Sequence, residues 1–199
     1  MRCSPIVLVL ALAAACLTGA SCAPSRHVSQ ESEPRSAIEA NGRSALVALA
    51  ARDTERFSAY VHPIKGVRFS PYGYVDETHV VFRREEVAAL LQEPTVRTWG
   101  NYDGSGDPIE GTFADYFARF VYDLDFAAAP QQSVNAPIGT GNTVDNTADV
   151  YPGGMVLEYH FPGIDPSFGG MDWRSLRLVF EEFRGEWFVV AVIHAEWTI

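Results

Sequence analysis

Beyond residue 22 the chain contains no cysteine. That excludes a disulfide framework and a thiol nucleophile from everything that follows. Basic residues are also scarce: 15 Lys and Arg stand against 25 Asp and Glu, a formal net charge of −10. Nucleic acid, whose phosphates need a basic surface, is excluded as a partner, and so is a polybasic membrane patch. No internal repeat is visible, and after the N-terminal segment no apolar run is long enough to span a bilayer. The G-x-S-x-G, H-E-x-x-H, P-loop and dinucleotide-binding fingerprints are all missing, and nothing in the composition calls for a cofactor.

What is present begins with an address. Met1-Arg2 supplies one positive charge, Ile6 to Ala15 is apolar throughout, and small residues and cysteines follow. This is the order of a secretory signal peptide, and the apolar run is too short for a stable membrane span. Leu12-Ala-Ala-Ala-Cys16 and Thr18-Gly-Ala-Ser-Cys22 both resemble the lipobox of bacterial lipoproteins, in which the cysteine is acylated and becomes the new N-terminus. Cleavage before Cys22 leaves a signal of ordinary length, residues 1–21, whereas Cys16 has the better upstream leucine. A bridge between Cys16 and Cys22 is the alternative use of the two thiols. Residues 22–35 are polar, rich in Pro and Ser and without periodicity, which reads as a flexible tether. The sequence thus predicts an exported protein, lipid-anchored to the cell envelope, with its one domain facing the periplasm or the exterior.

That domain spans 36–199, about 165 residues, which is one domain by the usual size prior. With 47% hydrophobic and 12% aromatic residues in the chain, it has the material for a substantial core. The spacing predicts a helix over 36–52 and a second short helix capped by Asp53. Short strands at 67–69 and 79–82, a helix over 85–92 and a Gly/Asp loop over 99–108 follow. Thr112 and Asp115 form a capping-box pair that opens a helix extending to about 128. Residues 130–154, rich in Pro, Gly and Asn, carry no period. Strands at 155–161, 172–183 and 186–198 close the chain, the last two joined at Arg184-Gly185.

Period-two alternation puts Glu158 and His160 on one face of their strand, and His194 and Glu196 on one face of the last. Arg177 joins them if the strands pair in the expected register. Two imidazoles, two carboxylates and a guanidinium suit general acid–base work, because histidine exchanges protons near neutrality and a carboxylate fixes its tautomer. Two histidines and a carboxylate also suit a metal, although no metal site is assigned. The bland alternative is that these side chains face water or form ordinary cross-strand ion pairs. Tyr72, Tyr74, Trp99 and Tyr102 fall in loops and are candidate pocket-lining residues. Asn101, Asp103, Ser105, Gly106 and Asp107 have the alternation of a calcium loop, but Thr112 stands at the closing position and Pro108 intrudes. His62, beside Pro63, is expected at a helix end, where its charge favours the dipole.

The start Ala45-Leu-Val-Ala-Leu-Ala-Ala-Arg-Asp53…Phe57-Ser-Ala-Tyr60 and the finish Leu176-Arg-Leu-Val-Phe…Gly185-Glu-Trp-Phe-Val-Val-Ala-Val-Ile193 resemble the NTF2-like (SnoaL/ketosteroid-isomerase-like) superfamily. The resemblance implies an α+β fold, a bent antiparallel sheet wrapped around N-terminal helices as a cone. Members include isomerases and dehydratases, and also non-enzymatic pocket or dimerisation modules. It leaves open a homodimer and a small-molecule or protein ligand. The enzymes place an Asp base or an Asp–His pair inside the cone, a motif with no residue-by-residue match here. His62-Pro-Ile-Lys-Gly-Val-Arg-Phe-Ser-Pro-Tyr72, Trp99 to Ile109 and Gly170 to Leu178 are also similar to a group of secreted bacterial lipoproteins, which implies no activity. The expectation is a ligand- or protein-binding module. A pocket enzyme using His and Glu of the closing strands is the alternative.

Overall fold

The computed structural model describes Met1 and residues 32–198. Cys16, Cys22, the signal segment and most of the tether lie outside the described residues. Helix α1 covers Ser32–Ala50 and α2 covers Thr54–Ser58. Strands β1 (Val67–Ser70) and β2 (Val81–Phe82) follow, then α3 (Arg84–Val87) and the hairpin β3 (Arg97–Asn101) and β4 (Pro108–Gly111). After α4 (Phe113–Phe120) come β5 (Gln131–Val134), α5 (Thr147–Val150), β6 (Met155–Phe161), β7 (Arg174–Phe183) and β8 (Glu186–Glu196). Helix α1 takes in residues 32–35, assigned by composition to the tether, because Glu33 and Pro34 suit a first helical turn. Among the described residues no helix is long and apolar enough to cross a membrane.

Six strands form one sheet in the order β2-β1-β8-β7-β6-β5. Its pairings are antiparallel except β1 with β8, which run parallel. Near the middle of β8 the register slips, so that Val179 faces Ala191 while Phe180 faces Val189. Val190 is the extra residue of a β-bulge, a device that bends a strand. Arg184 (φ 56°) and Gly185 (φ 85°) turn the closing hairpin, the paired positive φ that a two-residue type I′ turn requires.

Helix α1 packs on β6 and β8, on the inner side of the sheet. Gly42 marks the closest approach. A Cβ there would collide with Leu157 and lie 3.3 Å from the Tyr159 hydroxyl, which is why an otherwise Ala-rich helix carries glycine at this turn. The α4 stripe, Phe113, Tyr116, Phe117 and Phe120, is fully buried in the same core as Leu46, Leu49, Leu157, Leu176 and Leu178. The fold is α+β with a bent sheet curled around the N-terminal helix, the cone arrangement that the sequence resemblance implies.

Three expectations change. The capping box forms, Thr112 N and Oγ1 both donating to Asp115 Oδ2 at 2.9 and 2.6 Å. Yet α4 stops at Phe120 rather than near 128, and Asp123 just beyond it is drawn into an ion pair with Arg174 and to within 3.3 Å of the His194 ring. The Gly/Asp segment is a true hairpin whose strands flank a turn held by Tyr102 N donating to Asp107 O at 2.8 Å. The patternless 130–154 stretch holds β5 and α5 and straps the outer face of the sheet, where Asn146 exchanges two hydrogen bonds with the Val75 backbone at 2.7 and 3.0 Å.

Candidate functional site

The five candidate acid–base residues are all buried, none more than 8% exposed. They do not converge. Register pairs Glu158 with Arg177 and His160 with Ser175, so these four share the outer face. His194 lies opposite Leu176 and Glu196 opposite Arg174, on the inner face, so the sheet itself separates the two groups.

On the outer face Glu158 is saturated. Its Oε2 accepts from Ile138 N at 2.9 Å and faces Arg177 Nε at 3.5 Å. Its Oε1 accepts from Gly139 N at 3.0 Å and from the Ser175 hydroxyl at 2.6 Å. Arg177 also donates to Gly139 O at 2.7 Å and to Asp145 at 3.0 Å. Because the Ser175 proton goes to Glu158, His160 Nδ1, 2.8 Å away, must donate to Ser175 Oγ. The order His–Ser–Glu therefore leaves serine as a bridge and not as an activated nucleophile, which would need to donate to the imidazole. The network clamps the 138–145 segment onto the sheet. Gly139 is required there, since a Cβ would fall 2.5 Å from the Trp173 ring and 2.6 Å from Ser175 Oγ.

On the inner face Asp123 Oδ2 lies 3.3 Å from both His194 Nε2 and Arg174 Nε. Glu196 takes Arg174 at 2.9 Å and Arg119 at 2.6 Å. Burial raises the Asp123 pKa, but the hydrogen bond and charge of His194, with Arg174, outweigh it and leave the carboxyl below its ordinary value. The Phe120 ring meets His194 edge-on at 5.7 Å. Asp123 was missed by sequence reasoning because a helix running to 128 buried the cue; a Tyr-Asp-Leu-Asp run just past an apolar stripe was the only signal.

Among the described residues, two of the surface clefts bear on these candidates. One, about 390 Å³, lies on the outer face between the strap and the sheet, with Ala148, Tyr151, Pro152 and Val156 on its walls and Arg177 and Glu158 at its base. The other, about 270 Å³, lies between the 71–79 and 100–103 segments and is lined by Tyr72, Tyr74 and Tyr102. Trp99 is not with them. It is 1% exposed, stacks on Tyr116 at 4.4 Å and donates from Nε1 to Gly111 O at 3.0 Å. Strand β3 turns it inward, so it belongs to the core.

The remaining cues resolve into local structure. His62 lies past the end of α2, and its Nδ1 accepts from Ile64 N and Lys65 N at 3.1 and 2.9 Å. It acts as a neutral turn acceptor and not as a charged partner of a helix dipole. In the calcium-like loop Asp103 takes Gly104 N and the Thr143 hydroxyl, and Ser105 takes Asp107 N. Among the described residues no three His, Cys, Asp or Glu side chains are grouped so as to hold a metal ion.

Neutral imidazoles inside the fold carry a pH signature. His62, His79 and His160 are each held below the ordinary value of 6.5, in every case first by burial. The unfolded chain therefore takes up protons on these rings where the folded chain does not. Their contribution is complete above 6.5 and is lost as the pH falls from there through the lowered folded values. The urea midpoint is expected to be lower at about pH 5 than at about pH 7.5. Equal midpoints would mean that the three rings titrate alike in both states.

No family model matches the chain, and no curated protein matches it. Two solved structures show a distant likeness. One, from Xanthomonas campestris, is provisionally described as a calcium/calmodulin dependent protein kinase II association domain. It is 14% identical with a TM-score of 0.35, covering 80% of this chain and 84% of that one. The other is the CamKII hub homology domain of Chlamydamonas reinhardtii, 14% identical with a TM-score of 0.33, covering 82% of this chain and 98% of that one. Likenesses this distant decide nothing about activity or assembly.

Proposed function

We propose that this chain is a non-catalytic binding module, held at the bacterial cell envelope by a lipid on Cys22, with Cys16 as the alternative, and that its ligand sits in the outer-face cleft. The observation that carries the reading is the contrast on that face. Glu158, Ser175 and His160 direct their hydrogen bonds at one another and at the strap, whereas the cleft beside them has about 390 Å³ of open space with largely apolar walls. A concave, mostly apolar site with a few fixed polar groups is the common form of a small-molecule site.

Native mass spectrometry of the full-length chain purified from its own host tests this, and the same spectra read the cleavage site and the acyl group. A small molecule should accompany the wild type and be absent from Ala148→Trp, in which an exposed α5 residue lining the cleft becomes large enough to fill it. A wild type that is always empty, or a ligand retained by Ala148→Trp, overturns the assignment. The second reading, a pocket enzyme of acid–base type, is favoured by one observation. Asp123 Oδ2 lies 3.3 Å from His194 Nε2 on the inner face of the sheet, and both ring nitrogens are buried without a well-formed hydrogen bond. Conversion of a bound molecule that is lost in His194→Gln would carry it.

A further inference from the structure

We propose that the second cleft, between the 71–79 and 100–103 segments, binds a small organic cation, an ammonium group of compact size. The site is separate from the outer-face cleft and does not depend on the function proposed above.

Three tyrosines, Tyr72, Tyr74 and Tyr102, stand in its walls among polar residues. Tyr72 and Tyr102 both rest on Phe120, with ring centroids 5.7 and 6.2 Å away, so the core holds them in place before any ligand arrives. Tyr74 and Tyr102 remain 48% and 41% exposed at the mouth. Rings anchored from behind and open in front lose little conformational freedom on binding.

The charge of the lining selects the ligand. Asp76 and Asp103 are its carboxylate side chains; neither Lys nor Arg is among the lining residues, and the Arg68 guanidinium behind them is taken up by the carbonyls of Asp76, Glu77 and His79. His79 adds no positive charge. Its Nδ1 lies 3.2 Å from the Asp76 N–H that it accepts and 2.9 Å from Ser70 Oγ, and burial lowers its pKa. Hydrogen bonds from Thr78, its hydroxyl at 2.6 Å and its N–H at 2.8 Å, hold the Asp76 carboxyl below its ordinary value and therefore charged. Asp103 is anchored by Gly104 N and by Thr143. Two fixed carboxylates beside aromatic faces repel an anion and give a neutral ligand no charge to answer them. An ammonium group is attracted by the carboxylates and by the ring quadrupoles together.

Choline chloride is the probe, titrated calorimetrically into the full-length chain in a non-ionic detergent at low salt, with glucose and acetate as comparisons. Saturable choline binding is expected, weakened by added sodium chloride and by Asp76→Asn. Tyr102→Ala should weaken it about tenfold, and Tyr102→Leu, which keeps an apolar side chain but no π face, should weaken it as much. Ala148→Trp in the other cleft should leave it unchanged. Absence of saturable choline binding overturns the proposal, as does glucose or acetate binding as tightly, or full choline affinity in Tyr102→Leu. The exposure of Tyr102 keeps both variants folded, which an unchanged circular dichroism spectrum checks.

Discussion

Arg177→Met is expected to destabilise the fold by about 3–5 kcal/mol, the usual cost of removing one partner from a buried ion pair. The guanidinium is 4% exposed and the Glu158 side chain beside it 2% exposed, so both are almost wholly withdrawn from water although the outer-face cleft reaches down to them. Methionine fills similar volume but takes away the donors to Gly139 O and Asp145 and leaves the buried Glu158 carboxyl without its cationic partner. The loss should show as a lower urea midpoint with little change in slope. Adding Glu158→Gln removes the carboxylate but sets an amide NH2 against the Ile138 or Gly139 N–H, so little of the loss should return. A loss below about 1 kcal/mol would instead place the pair in the class of solvated surface bridges, and the outer face would then be open to water.

The same expectation carries a consequence for function. Arg177 secures the strap at Gly139 and Asp145, and Asp145 lines the outer-face cleft. Loosening that clamp should therefore weaken a ligand held there most, whereas the tyrosine cleft, whose rings lean on Phe120 but whose Asp103 is anchored by Thr143 of the same strap, should lose choline affinity to a smaller degree. A variant that lost both together would point to general unfolding and not to a local clamp.

Much of this was legible where local chemistry decides. Asp53 accepts from Arg56 N at 2.9 Å as a cap, Thr112 and Asp115 close their box, and Arg184-Gly185 makes the turn that its sequence demands. Alternation correctly placed Glu158 and His160 together. It had no means of saying which face meets solvent, and in β7 and β8 both faces are buried, so the polar face was covered instead of open. The cover is the strap, and a strap has no period. It is held by single side chains such as Asn146 and by the close approach of Gly139 to Trp173, neither of which leaves a pattern. The separation of His194 and Glu196 from the other three depends on cross-strand register and on the bulge at Val190. A bulge shifts the inside–outside phase by one residue, which counting along one strand does not detect.

Trp99 is the counterpart among the aromatics, and Trp99→Ala should cost about 3–5 kcal/mol. Loop tyrosines and a loop tryptophan look alike in sequence, yet Tyr74 and Tyr102 are 48% and 41% exposed and Trp99 is 1% exposed. The difference lies in β3. Pairing with β4 fixes the strand, and the ring then lies against Tyr116, with Phe113 and Phe82 at 5.8 and 6.1 Å. Its removal would leave a cavity in the middle of the aromatic core, which can collapse only in part. Trp99→Phe separates two contributions, since it keeps most of the ring volume but strands the Gly111 carbonyl that Nε1 satisfies. That change alone should cost about 1–3 kcal/mol. Choline affinity should be the same in Trp99→Phe as in the wild type, because the indole contributes to the core beneath the cleft and not to its lining. A Trp99→Phe protein with normal stability but weakened choline binding would move Trp99 back among the pocket residues, and the tyrosine cleft would then extend deeper than its three rings.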